Sequence, residues 1–246
     1  MITFGLVGHP LGHSFSQAFF TTKFKNEDID AQYLNFDVDR LDEINGILES
    51  NSTLAGFNVT IPYKLEVMKM LDAVSPEAAA IGAVNVVKVS REGGKTTLAG
   101  FNTDVIGFRD SLRPYLRADI KKALVLGTGG ASRAVTYALD SLGIKWESVS
   151  RSKDKGEFTY RDLDEAAVAS HKLIVNTTPL GTWPDVVGYP PIPYDGISAE
   201  HVCFDLVYNP PMTEFLRRVA ERGAVAVNGL GMLHSQAEAA WKIWTE

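Results

Sequence analysis

The chain has 246 residues, 45% hydrophobic and 22% charged, a composition that can bury a sizeable core and excludes a disordered or fibrous protein. With 24 basic and 30 acidic side chains the formal net charge is -6, which opposes non-specific adhesion to nucleic-acid phosphates, so any anion must be gripped locally. The length exceeds the commonest domain size and suits two domains. The single cysteine, Cys203, cannot form an internal disulfide and lies in the apolar run Val202 to Tyr208, where it reads as a structural core residue. No apolar run approaches the ~18 residues of a membrane span. The start, Met1-Ile2-Thr3-Phe4-Gly5-Leu6-Val7, has no basic n-region or cleavage site, and a cytoplasmic location is expected. His9, His13, His171, His201 and His234 show no metal-ligand spacing, and no metal site is expected.

Short apolar strands alternate with amphipathic helical stretches, which predicts an α/β protein with largely parallel sheets. In the first hundred residues strands are expected at Thr3 to Val7, Tyr33 to Val38, Gly56 to Thr60, Ala83 to Val89 and Thr96 to Phe101. Arg91-Glu92-Gly93-Gly94 reads as a hairpin turn that makes the last two antiparallel. Helices are expected over Ser16 to Asn26, Leu41 to Glu49, Lys64 to Leu71 and Pro76 to Ile81. A second series follows: helix Asp104 to Leu116, strand Ala123 to Leu126, helix Ala131 to Leu142, and strands Ser148 to Ser150, Leu173 to Asn176, Val202 to Leu206 and Ala224 to Val227. The proline-rich stretch Pro184 to Pro193 must be a loop, and a helix near Leu233 to Trp244 closes the chain. Two sheets imply two domains joined near Asn102 to Lys122.

Ala123-Leu124-Val125-Leu126, the turn Gly127-Thr128-Gly129-Gly130 and the apolar helical face of Ala131, Ala134, Val135, Ala138, Leu139 and Leu142 form a βαβ opening. Glycines let the backbone approach a pyrophosphate, which free N–H groups and the positive end of the helix dipole stabilise. The strict fingerprint has a third glycine where this chain has Ser132. At the end of the next strand, where an NAD enzyme usually carries an acid for the ribose 2′-hydroxyl, the chain reads Ser150-Arg151-Ser152-Lys153. Arg151 can bind a 2′-phosphate in a charge-assisted fork while the flanking hydroxyls donate, so NADP is preferred over NAD.

Two polar clusters sit at strand ends in the first domain: Asn58, Thr60 and Lys64 in Gly56-Phe57-Asn58-Val59-Thr60-Ile61-Pro62-Tyr63-Lys64, and Asn102, Thr103 and Asp104 just before a helix. Substrate sites of open α/β sheets lie at such ends. Taken singly, Asp104 could be an N-cap, Asn58 a turn former and Lys64 an exposed lysine.

Together with Gly8-His9-Pro10-Leu11-Gly12-His13-Ser14-Phe15-Ser16, Gly82-Ala83-Val84-Asn85, Asn102-Thr103-Asp104-Val105-Ile106-Gly107-Phe108, Asn176-Thr177-Thr178-Pro179-Leu180-Gly181, Asp205-Leu206-Val207-Tyr208-Asn209-Pro210 and Asn228-Gly229-Leu230-Gly231-Met232-Leu233, these segments give the chain a strong resemblance to the shikimate dehydrogenase family. The resemblance implies a mixed-sheet substrate-binding domain over residues 1–103 with 228–246 packing back, and a Rossmann-like doubly wound parallel-sheet domain over 104–227. It implies hydride transfer from NADPH to 3-dehydroshikimate, in chorismate and aromatic amino-acid biosynthesis, with Lys64 and Asp104 as the catalytic pair. Ser14 and Ser16 would bind the substrate carboxylate, and Thr60, Asn85 and Gln236 its ring hydroxyls, with Asn58 and Tyr208 nearby. Gly127, Thr128, Gly129, Gly130, Ala131, Ser150, Arg151, Ser152, Thr177, the turn Val207 to Asn209 and Gly229 would line NADP(H). A homodimer is compatible with the sequence, which itself gives no oligomeric state.

The chain departs from the family pattern in two places. Gln17 and Phe20-Thr21 replace a proline and a His-Asn pair, so the first helix should pack differently. Beyond Arg151, Lys153-Asp154-Lys155-Gly156 leads quickly to Phe158-Thr159-Tyr160 where relatives have a whole helix, which should leave one face of the cofactor domain bare and makes Lys153 and Lys155 the other candidates for the 2′-phosphate. Two rivals stand beside this reading. A quinate/shikimate dehydrogenase using NAD or NADP is opposed by the missing acid after Ser150. A non-catalytic metabolite-binding regulatory protein would have lost Lys64 or Asp104, and both are present.

Overall fold

The structure, a computed structural model, describes residues 1–12 and 15–246. It divides into two compact units, Met1–Thr103 with Ala237–Glu246, and Asp104–Gln236. In chain order the first unit holds β1 (Ile2–Gly8), α1 (Phe15–Asn26), β2 (Ala31–Asp37), α2 (Ile44–Ser50), β3 (Leu54–Val59), β4 (Ala73–Val74), α3 (Pro76–Ile81), β5 (Val86–Glu92) and β6 (Lys95–Phe101). Its sheet runs β2-β1-β3-β5-β6-β4. The pairs β1/β2, β1/β3 and β4/β6 are parallel, while β3/β5 and β5/β6 are antiparallel, the last closed by the Gly93-Gly94 turn, so the sheet is mixed.

The second unit holds α4 (Asp104–Leu112), β7 (Lys122–Leu126), α5 (Gly130–Ser141), β8 (Lys145–Ser150), β9 (Phe158–Thr159), α6 (Glu165–Ser170), β10 (Leu173–Asn176), β11 (Val202–Asp205), α7 (Glu214–Glu221) and β12 (Val225–Val227); α8 (Leu230–Thr245) starts in it and ends in the first. All six strands are parallel in the order β12-β11-β10-β7-β8-β9, the doubly wound order of a dinucleotide-binding fold. The central strands β10 and β11 are buried along their whole length, which is why they read as unbroken apolar runs rather than alternating ones. Cys203 on β11 is fully buried, and burial pushes its thiol up, so it is a core residue as expected.

The core explains the unusual start of α1. Gln17, in place of proline, donates to the Tyr33 carbonyl (3.4 Å) and accepts from Asn35 (3.0 Å), tying the helix to β2. Phe20 is fully buried and stacks on Tyr33 with ring centroids 4.8 Å apart. Phe4, Phe24, Trp241 and Trp244 complete this aromatic cluster, and Trp244 donates from Nε1 to the Val87 carbonyl at 3.0 Å, fixing the end of α8 to β5.

Several expectations change. Lys64 to Leu71 is not an α-helix: residues 61–65 are turns, a short 3-10 helix covers Glu66–Met70, and Leu71 is extended. The chain must straighten there because the amide of Asp72 donates to the Leu98 carbonyl as β4 joins β6. Leu41 to Glu49 divides into a 3-10 turn, Leu41–Glu43, and α2, while α4 ends at Leu112 and gives way to a 3-10 turn containing Pro114. The expected strand at Ala83 starts only at Val86, although Asn85 already bonds through its backbone to Phe101 and Val59.

No helix lies between β8 and β9, as expected, yet that face is not bare. The loop folds back on itself: Glu157 accepts from the Ser148 amide (2.6 Å) and hydroxyl (2.7 Å), and Gly156 comes so close that a Cβ there would lie 3.0 Å from the Ser148 carbonyl. Small side chains at Ser148 and Ser150 leave room for this backbone, and both are buried beneath it. Among the described residues no helix is long and apolar enough to cross a membrane.

Candidate active site

In the first unit the chemistry collects where β1 and β3, parallel neighbours, both end. The amide of Thr60 donates to the Val7 carbonyl (2.9 Å) and that of His9 to the Ile61 carbonyl (3.1 Å), so the two loops leave the sheet together. The segment after Thr60 is anchored from below: Tyr63, buried, donates its hydroxyl to the Val38 carbonyl at 2.7 Å, and the Lys64 carbonyl accepts from the Val84 amide at 2.8 Å. Lys64 itself is half-buried, on a short turn held at both ends.

A chain of buried amides and hydroxyls lies beside it. Asn58 accepts from the Tyr33 hydroxyl (2.8 Å) and donates to the Asn85 carbonyl (3.3 Å); Tyr33 also shares a hydrogen bond with Ser16, and burial pushes its hydroxyl up. Asn85 accepts from the Thr103 amide (2.7 Å) and donates to its hydroxyl (3.1 Å), while Asn102 donates to the Ala83 carbonyl (2.9 Å). Ser16, Asn58 and Asn85, singled out from the sequence, thus stand in one network. Asn58 serves it largely as a strut, since its oxygen and one amide hydrogen are committed to protein partners. Tyr33, which joins Ser16 to Asn58, carried no sequence signal. Ser14 lies outside the described residues.

Asp104 opens α4 and is only 7% exposed. One turn on, a Cβ at Gly107 would lie 2.5 Å from the Met232 carbonyl and 3.0 Å from Cβ of Gln236. The missing side chain lets α4 sit directly on α8 and brings Gln236, itself buried, to the face of α4 that Asp104 shares. Gln236 donates back to the Leu233 carbonyl at 2.9 Å.

At the centre of the parallel sheet the chain turns from β7 into α5. Gly127 has φ 106°, a left-handed conformation that glycine adopts without penalty, and its amide donates to the Val149 carbonyl at 2.8 Å. Gly129 caps α5 with no side chain bonded to the free amides, and neither Gly129 nor Gly130 has an atom within 4 Å of where a Cβ would stand. Thr128 is exposed and Ala131 half-buried. The helix therefore begins without a side-chain cap and with open space where glycine side chains would stand, which lets a pyrophosphate approach its first amides. Ser132, at the imperfect third position, is buried and turns its hydroxyl onto the Gly129 carbonyl (2.6 Å), so it takes little more room than glycine.

Around this turn, Thr177 donates from both its amide (2.9 Å) and its hydroxyl (2.7 Å) to the Leu126 carbonyl, and the Val207 carbonyl accepts from the Gly229 amide (3.1 Å). A Cβ on Gly229 would overlap the Leu206 carbonyl, so only glycine fits there. Tyr208 is half-buried, which pushes its hydroxyl up. At the end of β8, Ser150 is buried and accepts from the Ser152 amide (3.2 Å), while Arg151, Ser152, Lys153 and Lys155 are exposed. An open glycine cradle followed by an exposed arginine fits the phosphates of NADP.

Comparisons with known proteins place the chain in a family. A model of the shikimate dehydrogenase substrate binding domain matches residues 6–87. A shikimate dehydrogenase (NADP(+)) of Methanococcus aeolicus is 37% identical over 262 residues, covering 98% of this chain and 91% of the relative. The crystal structure of shikimate 5-dehydrogenase from Thermus thermophilus in complex with NADP(H) and shikimate has a TM-score of 0.86 at 34% identity, covering 100% of this chain and 94% of that one. Shikimate dehydrogenase from Aquifex aeolicus also gives 0.86, at 35% identity, over 100% of this chain and 92% of that one. Since alignments at this level of identity cover nearly the whole chain, the chain belongs to the shikimate dehydrogenase family.

Proposed function

We propose that the chain catalyses the reversible, NADPH-dependent reduction of 3-dehydroshikimate to shikimate, in the cytoplasm and as a step of chorismate and aromatic amino-acid biosynthesis. The observation that carries this reading is the open glycine turn followed by Arg151 in a chain that also holds Lys64 and Asp104. Met1–Thr103 takes the substrate and the parallel-sheet unit takes the nucleotide. When bound, NADPH would supply the hydride that the ketone carbon takes. The Lys64 ammonium donates a proton to the ketone oxygen as the carbonyl bond opens, which balances the conversion to an alcohol, and solvent restores that proton. Asp104 holds the same hydroxyl and orients the ammonium. Ser14 and Ser16 bind the carboxylate, and Thr60, Asn85 and Gln236 the ring hydroxyls. Asn58 and Tyr208 set the positions of their neighbours.

The amides of Gly129, Gly130 and Ala131, with Thr128, would hold the pyrophosphate, while Gly127, its own amide bonded to Val149, shapes the turn; Ser150, Arg151 and Ser152 would grip the 2′-phosphate, with Thr177, Val207 and Gly229 alongside. A homodimer is compatible with this reading, and sedimentation checks it. The deciding experiment is oxidation of shikimate and of quinate with NADP and with NAD, followed by cofactor absorbance. Turnover of shikimate much faster with NADP than with NAD is expected; equal turnover of quinate or with NAD would favour the broader enzyme, and no turnover at all would overturn the assignment.

A further inference from the structure

Asp205, the last residue of β11, is fully buried and is no part of the chemistry above. Its carboxylate is surrounded by donors. One oxygen accepts from Asn176 Nδ2 (2.9 Å) and from the Val207 amide (3.1 Å), and the other from the Thr213 hydroxyl (2.6 Å). Asn176, equally buried, carries the connection across to the neighbouring strand, where its own oxygen accepts from the amide (3.0 Å) and hydroxyl (2.7 Å) of Thr178. Thr177, between them, is pinned to Leu126 directly beneath the glycine turn, with its hydroxyl 2.8 Å from where a Cβ on Gly127 would be. On the other side the Val207 carbonyl receives the Gly229 amide.

A buried carboxylate is a costly way to hold a core together, because desolvation opposes it and an apolar side chain would fill the same volume. What an apolar side chain cannot do is fix the direction of backbone amides in two different loops at once. Those loops leave the carboxyl ends of β10 and β11, adjacent strands of the parallel sheet, where open α/β folds bind their ligands. Resting on the functional reading above, we propose that Asp205 is a positioning residue for the nicotinamide cofactor, holding the 177–178 and 207–208 loops in the form that receives it.

The alternative is a purely structural role through Thr213, whose hydroxyl also caps α7 by accepting from the Leu216 amide (3.2 Å). The two are separable because the oxygen facing Thr213 is not the oxygen facing the loops. The test uses the full chain at about pH 8, where the carboxyl is ionised. NADPH affinity is read by its fluorescence, shikimate affinity by calorimetry, and turnover at saturating cofactor. Asp205→Asn keeps the shape and can direct its amide at Thr213, but loses charge-assisted strength on the loops. It should weaken NADPH binding about tenfold while shikimate affinity and saturated turnover change by less than about threefold. Asn176→Ala cuts only the link to the 177–178 loop and should weaken NADPH in the same direction, which keeps the test alive if Asp205→Asn does not fold. Thr213→Val should lower the melting temperature and leave NADPH affinity within about twofold. Unchanged NADPH affinity in Asp205→Asn, or an equal loss in Thr213→Val, overturns the positioning role alone. A wild-type chain that binds no NADPH overturns it together with the functional reading.

Discussion

Replacing Gly130 by alanine should separate what the glycine turn does for the fold from what it does for a ligand. The residue is the first of α5, and an added Cβ would meet nothing within 4 Å. The free protein should therefore gain about 0.4–1 kcal/mol, since alanine has less unfolded-state entropy to lose. The same methyl group enters the open space over the helix N-terminus, where it would push a pyrophosphate off the amides. Hydrogen bonds to a charged group contribute about 1.5–3 kcal/mol each, so weakening one or two should raise the NADPH dissociation constant by about ten- to a hundredfold. Gly127→Ala should show the reverse emphasis. Its φ of 106° strains an L-residue by about 1–2 kcal/mol. Its Cβ would lie 2.8 Å from a Thr177 hydroxyl that is itself bonded to Leu126, and overpacking of this kind costs about 1–3 kcal/mol more. The cofactor-free protein should lose on the order of 2–5 kcal/mol by the sum of those two effects. Urea unfolding without cofactor and NADPH fluorescence titration give both quantities for both variants. If Gly130→Ala binds NADPH as the wild type does, the turn is not the phosphate cradle and the reasoning fails.

Lys64→Ala should lower kcat by orders of magnitude with modest change in KM, and near-normal kcat in steady-state assays would remove the proton-donor role. Arg151→Ala should raise KM for NADPH about tenfold or more while leaving turnover with NADH unchanged; a parallel loss with both cofactors would show that Arg151 does not read the 2′-phosphate. Burial pushes the Asp205 carboxyl up to about 6, outweighing its bonds from Thr213, Val207 and Asn176. Its folded value then lies above the unfolded value near ~3.9, so the folded state binds the proton more tightly, and stability falls as pH rises from about 4 to about 6, by about 3 kcal/mol from this group. Asp205→Asn should abolish that fall, and a wild-type minus variant difference in urea stability that stays flat across this range would contradict it.

What the sequence disclosed was largely what is local. Strands β10 and β11 appear in it nearly to the residue, because strands buried on both faces must be unbroken apolar runs and Asn176 and Asp205 end them. The glycine turn is equally plain, since a left-handed φ and a bare helix N-terminus both call for glycine at fixed spacing. The two-residue strands β4 and β9 are invisible because they exist only by pairing with β6 and β8. The helix expected over Lys64 to Leu71 has the right apolar spacing at Leu65, Val67, Met68 and Leu71, but that periodicity carries no information about the pairing that draws the chain straight at Leu71 and Asp72. In the site, Asn58 stood out by type at a strand end and Asn85 only through the family resemblance, whereas Tyr33 and Asp205 act through partners 25 and 29 residues away along the chain, a distance no motif records.

The shortened segment after Arg151 shows how a contact closing one loop changes a functional conclusion. Judged from length alone, losing a helix there should leave the 2′-phosphate pocket loose. Instead the two hydrogen bonds from Ser148 hold the Glu157 carboxyl below its ordinary value against the opposing effect of burial, so the tether is a charged acceptor on neutral donors. Hydrogen bonds of that kind are roughly twice as strong as neutral ones. The turn that carries Arg151 is thereby closed at both ends, on β8 by Ser150 and Ser152 and at its return by Glu157. Ordering it is part of folding and need not be repeated when a ligand binds, which is the condition under which one arginine can discriminate between cofactors. Glu157→Gln, which keeps the shape and removes the charge, should consequently weaken NADPH more than NADH although the residue need not touch either. Equal loss of both in fluorescence titrations would mean that the turn is held some other way.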